Sequence, residues 1–291
     1  MIRSRPIEVW HPGSAGMRAM CYAVTLLIGA AAPVHAQVSA RMRTQDVCIN
    51  AAIGLVTATA WSLVRGHGLS DGVTRGLVGG AAMGVGRQVA ASPFSGSGFA
   101  GREISAVGIS LITSPGDNHI TLSFPVGPVE LQLREGNRFD WRVNATDAIA
   151  AVINSAHAGT RLDARLSLSS GTFVFRDPQE SFRTSSGEAA ASEFFESIML
   201  SQSAFHESSQ FPRVLYHENV HVLQDDYLSD AVANPIETAW LSRTRIGKII
   251  TRHVDLGLLP LPINGVANSI IPYASRPWER EAYALTPRHN Y

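Results

Sequence analysis

Apolar residues recur at helical spacing in two runs near the start of the chain, residues 47–64 and 72–91, joined by Arg65-Gly66-His67-Gly68. This pattern predicts a helical hairpin. In the second run Gly72, Gly76, Gly80 and Gly84 recur every fourth residue, which places four positions without a side chain on one stripe. A partner helix can approach closely there, and it has to, because each glycine costs about 1 kcal/mol of helix propensity relative to alanine. Arg75 and Arg87 bracket only eleven residues, and the first run stops at Arg65. Both runs fall short of the roughly 20 apolar residues of a membrane span. The expectation is a closely packed hairpin in a soluble or peripheral protein, with any membrane association made through residues 46–92.

Beyond it the period changes. A Ser/Gly-rich stretch over residues 92–103 reads as a loop, and strand-like alternation follows. Ile120, Leu122 and Phe124 alternate with polar residues, as do Val129, Leu131 and Leu133 across a Pro125-Val126-Gly127-Pro128 turn. That predicts a hairpin with one wet face, extended by Phe139, Trp141 and Val143. Residues 147–158 read as a helix, with Thr146 as its N-cap and Gly159 as its stop. A second hairpin is expected from residues 162–168 and 172–175 around Ser170-Gly171, followed by a polar loop over 176–192. The fold class read from these elements is α+β: a glycine-rich helical hairpin, a small antiparallel sheet with a helix, and a mainly helical C-terminal part. The corresponding divisions are 1–36, 37–100, 101–182 and 183–291.

Composition narrows the function. With 24 basic and 24 acidic residues the formal charge is zero, so no excess field favours nucleic acid. At the N-terminus Arg3, Arg5 and Arg18 precede an apolar stretch at 21–32, and Val34-His35-Ala36 forms a small-residue cleavage site before Gln37. Residues 1–36 therefore read as an export signal, which implies a periplasmic or cell-envelope protein. Cleavage would remove Cys21 and leave Cys48 alone, so no intrachain disulfide can form; this thiol is expected to be buried.

The sharpest chemistry lies in His217-Glu218-Asn219-Val220-His221. Two histidines four apart on a helix sit one turn above each other on one face, where both imidazoles reach one ion. Glu218 then lies beside that ion, the place from which a carboxylate takes a proton from water activated by Zn²⁺. Ser209 can cap such a helix, Pro212 falls in its first turn, and Val214, Leu215, Val222 and Leu223 supply apolar flanks. Chance alone places this pentapeptide in about one chain in sixty of this composition, so the context has to carry part of the argument.

A zinc site needs a third protein ligand, and the best segment for it is Arg276-Pro277-Trp278-Glu279-Arg280-Glu281-Ala282-Tyr283. Here the chain resembles the zincin metallopeptidases, in particular the gluzincins, in which a glutamate on a later helix, often in a Glu-Ala pair, completes the metal site. Glu281-Ala282 matches that pair, so the resemblance implies His217, His221 and Glu281 as ligands and Glu218 as general base. Glu279 and Glu237 are the rivals for the third position. Gln224, three after His221, is also similar to exported bacterial zincins. The resemblance spans residues 195–285; the first 180 residues match no such family.

In zincins an edge strand before the motif helix holds extended substrate, which would make residues 196–201 the substrate strand; an internal strand is the equal alternative. Asp225 either orients His221 or caps the helix end. Tyr283, Tyr273, His253 and Arg276 are each eligible to bond a developing oxyanion. The function expected is an exported zinc-dependent metallohydrolase acting on a peptide or protein. The alternatives are a non-catalytic envelope protein with a structural or degenerate metal site, and a binding module built on the 104–176 sheet.

Overall fold

Glycine sets the first three helices of the computed structural model, which describes residues 40–114, 122–134, 138–157, 159–178, 183–184, 187–188, 191–194, 197–202, 204, 211–258, 262, 266 and 269–286. The export segment read over 1–36 and the capping Ser209 lie outside these residues. Helices α1 (Ala40–Arg65) and α2 (Leu69–Ala90) form the expected hairpin. The stripe faces α1 along its whole length: a Cβ on Gly72 would strike Ser62, on Gly76 or Gly80 the backbone of α1, and on Gly84 Val47. A second set of glycines in α2 faces the other way. Gly79 and Gly86 meet Gly108 and Gly101 of a third helix, α3 (Ser97–Thr113).

α3 corrects the loop read over residues 92–103. Gly96, at φ 84°, turns the chain, and the helix starts at Ser97. From Ser97 on the serines and glycines are small because they pack: Ser97, Gly98, Gly101 and Ser105 are all buried.

Two mixed four-stranded sheets follow. One has the order β1 (Leu122–Val126), β2 (Val129–Arg134), β3 (Arg138–Asn144), β10 (Val254–Asp255), the last pair parallel. The other has the order β4 (Arg161–Leu162), β5 (Phe173–Asp177), β9 (Ser197–Ser201), β8 (Ala191–Phe194), with β5 and β9 parallel. A two-stranded pair, β6 (Arg183–Thr184) and β7 (Gly187–Glu188), lies within the segment read as a loop. Helix α4 (Ala145–Ala156) begins with Asn144 accepting from the Thr146 and Asp147 amides, so Asn144 is the N-cap and Thr146 lies inside the helix. The expected second hairpin is instead β4, helix α5 (Ala164–Ser170) and β5. Asp163 caps α5 by accepting from Leu166 N–H, and Gly171 at φ 72° ends it, a left-handed stop that favours glycine. Local capping outweighed the alternation.

The first sheet also reverses the expected faces. Leu131, Phe139 and Trp141 are exposed, whereas Ser123 and Gln132 are buried. Its polar side turns inward, where Glu130, Arg142, Asp147, Asp230 and Asp255 are among the residues enclosing a cavity of about 20 Å³.

The C-terminal part is mainly helical, as expected, and the fold as a whole is α+β. Helix α6 (Phe211–Asp226) runs into a π-helical segment, Tyr227–Ala233, then α7 (Asn234–Leu241), α8 (Arg245–His253), a 3-10 turn at Tyr273–Ser275 and α9 (Pro277–Leu285). α6 is central. Leu215 and Val222 pack on Val174, Ile198 and Leu200 of the second sheet, while Val220 packs on Ala91, Ala282 and Leu285. Beyond it Tyr227 and Ala231 join Ala58, Met83, Ile109 and Ile112 of the first three helices. From residue 35 onward the chain clusters as one compact unit.

Candidate metal centre

α6 is held from three directions. At its C-terminal end Arg102, 2% exposed, grips Asp226 with two hydrogen bonds of 3.0 Å and donates to the Gly171 carbonyl at 2.7 Å. A bidentate arginine–carboxylate pair of this kind fixes direction as well as distance. Trp61 donates to the Ala231 carbonyl in the π-helical segment, and Thr57 bonds Tyr227. π-helical turns recur where a functional helix must shift its register, and nothing in the residue pattern announces this one.

On this rigid helix His217 and His221 face the same way, as their spacing requires. Their Nε2 atoms are 3.1 Å apart. The third group is Glu279: its Oε2 lies 3.4 Å from His217 Nε2 and 3.3 Å from His221 Nε2. Four ligands at zinc distances of about 2.0–2.1 Å in a tetrahedron stand about 3.3 Å from one another. The three donor atoms therefore form a triangle the size of one tetrahedral face. All three residues are buried, and Glu279 Oε2 has no hydrogen-bond partner among the described residues. A buried carboxylate oxygen that faces only two imidazoles, at 3.3–3.4 Å, is placed as a metal ligand would be.

Glu281 is not part of this group, which corrects the ligand first expected from the Glu-Ala pair. Two residues apart on α9, the two glutamates point about 200° apart. Arg87 Nη1 takes Glu281 Oε1 at 2.7 Å, Asn50 donates to the same oxygen at 3.3 Å, and Gln224 donates to Oε2 at 2.7 Å. A guanidinium that is itself buried needs a carboxylate, and α2 brings Arg87 to the far side of α9. Glu237, the other rival, sits on α7 and accepts from Leu258 N–H at 2.9 Å, away from the histidines.

Glu281 still reaches the site through Gln224. The Gln224 Oε1 lies 2.8 Å from His221 Nδ1, while its Nε2 donates to Glu281 and to the Trp278 carbonyl. With the amide so oriented, His221 Nδ1 donates to Gln224 and Nε2 is the ring nitrogen that faces the triangle, the ring orientation that metal-binding imidazoles use. Gln224 thus orients His221. His217 Nδ1 has no partner among the described residues, and the Tyr283 ring rests against the imidazole with centroids 4.4 Å apart.

The ionisable groups of this cluster shift one another. Burial alone would lower the His221 pKa, yet the Glu279 carboxylate at hydrogen-bond range and the Glu218 charge lift it to about 9. Burial raises Glu279, and the two imidazoles outweigh it to bring this acid to about 2. Glu218 lies fully inside and its pKa is raised, chiefly by burial. Two carboxylates thus surround the imidazole pair, and positive charge between them is favoured.

Of the residues considered for an oxyanion, Tyr273 and Tyr283 are at the cluster. The Tyr273 phenol is pushed up by burial and then by its hydrogen bond with Glu279, and it also bonds Tyr283. Arg276 lies over the Tyr273 ring at 5.3 Å. His253 is elsewhere, stacked on Trp141 at 5.0 Å. β9, in the segment considered for substrate pairing, has neighbours on both sides and offers no free edge; β8 is the outer strand of that sheet.

Comparison of the chain with family models, curated proteins and solved structures finds no match. The functional reading therefore rests on the residues themselves.

Proposed function

We propose that the chain is an exported zinc-dependent metallohydrolase acting on peptide or protein, with His217, His221 and Glu279 as ligands and Glu218 as general base. The observation that carries this reading is the 3.1–3.4 Å triangle of donor atoms with a buried carboxylate next to it. A zinc ion held there would acidify a water molecule and polarise a substrate carbonyl. Glu218 would take the proton from a water molecule at the site and pass it to the leaving amine. Its raised pKa suits it to both halves of that transfer. Gln224 holds the His221 ring in place, and the Tyr283 phenol, beside the His217 ring, would donate towards the oxygen on which negative charge develops.

The test is zinc analysis of purified protein together with hydrolysis of a peptide library by wild type and Glu218→Gln. The expected result is one zinc per chain in both, with turnover in the variant lower by about 10²–10⁴-fold, the usual worth of a general base. Sub-stoichiometric zinc with no hydrolysis overturns the proposal. A second reading, a non-catalytic metal centre in an envelope protein, is favoured by burial: His217, His221 and Glu279 are each at most 9% exposed. Under it Glu218→Gln leaves every phenotype unchanged.

A further inference from the structure

Helix α1 is built inside out. Over residues 47–64 its exposed positions are Cys48, Ile49, Ala52, Ile53, Val56, Ala60, Leu63 and Val64, all of them apolar. Its buried positions in the same stretch are Asn50, Gly54, Ala58 and Ser62. Val56, Leu63 and Val64 are 69%, 63% and 74% exposed, whereas Asn50 and Ser62 are at 0%. In water a helix packs its large aliphatic side chains against the protein and turns polar groups out. Here the packing side is backbone against backbone, Gly54 on Gly76 and Gly80, and Asn50 is bonded to Asp46, Glu281 and Arg87 within the protein. That division suits a helix whose outer neighbour is hydrocarbon.

Cys48 belongs to this face. The thiol was expected to be buried and is exposed. Leu69, Val73 and Leu77 of α2, also exposed, widen the apolar surface. Large apolar side chains gathered on one exposed helix face mark an interaction site.

The face itself says which partner covers it. Protein interfaces concentrate Tyr, Trp and Arg at their centre, and the exposed positions from 47 to 64 include none of them. Trp61 is turned away to bond the Ala231 carbonyl. Charge falls only at the ends: Arg41 and Arg43 at one, Arg65 at the other, with no acid among the exposed positions between. The 21 residues between Arg43 and Arg65 span about 32 Å of helix. Aliphatic side chains flanked by arginines match acyl chains flanked by anionic headgroups.

We infer that α1 seats its outward face in the surface of an anionic lipid bilayer, with the helix axis along the membrane plane. The helix is long and apolar enough to cross a membrane. However, α2 clamps it from Val47 to Ser62, and α2 packs in turn on α6, so crossing would draw buried charges such as Arg87 into lipid. Lying flat leaves both charged ends at headgroup level.

Cys48 supplies the reporter. In the full chain carrying Cys21→Ser, an environment-sensitive fluorophore on Cys48 is expected to shift to the blue on addition of phosphatidylethanolamine–phosphatidylglycerol vesicles, and to be quenched by lipids spin-labelled near the headgroup end of the acyl chain. A label at Val56→Cys, in a chain with Cys21 and Cys48 replaced by serine, behaves the same way. One at Leu168→Cys, exposed on α5, stays in water. Val56→Glu with Leu63→Glu, both at exposed positions, abolishes the Cys48 response with circular dichroism unchanged. The inference is overturned if the Cys48 and Val56→Cys labels remain in water while the protein floats with vesicles, because another segment then does the anchoring. It is equally overturned if both labels are already shielded without vesicles and the protein sediments as a dimer, because a second copy then covers the face.

Discussion

Two buried polar centres flank α9, and they differ in saturation. On one side Glu281 is enclosed by Arg87, Asn50 and Gln224, and shares a proton with Asp46. Burial, and then the Glu281 carboxylate itself, push Asp46 up to about 8. Both oxygens of Glu281 have found donors there, although Arg87 Nε has none among the described residues. On the other side Glu279 and the two histidines converge on a point between them and leave an oxygen and a ring nitrogen without hydrogen bonds. A closed network holds helices together; an open one is able to take a ligand. The same residue type, two positions apart, acquires opposite roles from its surroundings.

The largest expected effect breaks the open centre. Glu279→Ala should abolish stoichiometric zinc binding, measured by metal analysis after dialysis, with the fold retained by circular dichroism. Glu281→Gln should keep stoichiometric zinc with a roughly 10–100-fold weaker affinity, the usual cost of disturbing a group that orients a ligand. Reversal of these two results would return Glu281 to the ligand set.

Next comes the closed centre. Arg87→Met leaves Glu281 buried without its guanidinium and should lower unfolding free energy by about 3–5 kcal/mol. Adding Glu281→Gln to that variant should recover part of the loss, because no charge is then left unpaired. Denaturant unfolding of both reads this out, and equal losses in the two would show that the pair is not coupled.

A smaller effect sharpens the comparison with a third polar region, beneath the first sheet. Asp255 is 4% exposed, and burial lifts its pKa from 3.8 to about 7. The folded state then holds a proton that the unfolded chain releases, so this group's contribution to stability is full below pH 4 and is lost as pH rises to 7. Asp255→Asn should flatten the stability profile over that window, measured as melting temperature against pH. An unchanged profile would show that Asp255 is ionised in the fold.

Much of this was legible in the chain. His217 and His221 share a face because 3.6 residues per turn place i and i+4 together whatever surrounds them. The stripe from Gly72 to Gly84 announced a close helix contact for the same local reason, and α1 fills it. The loop expected at 92–103 and the hairpin expected at 162–175 failed where small or capping residues served packing and helix ends. The outward face of the first sheet failed because alternation shows that two faces differ, not which one is covered.

By itself, then, the sequence determined the features confined to a single helix: the imidazole pair, the carboxylate beside it, and the glycine seam. Tertiary structure alone decided which glutamate joins the histidines and which side of α1 faces out. Both depend on the rotation of one helix about its axis relative to a distant neighbour. For α9 that rotation is set by the buried Arg87 taking Glu281, 194 positions away in the chain, and no local periodicity encodes a contact at that separation.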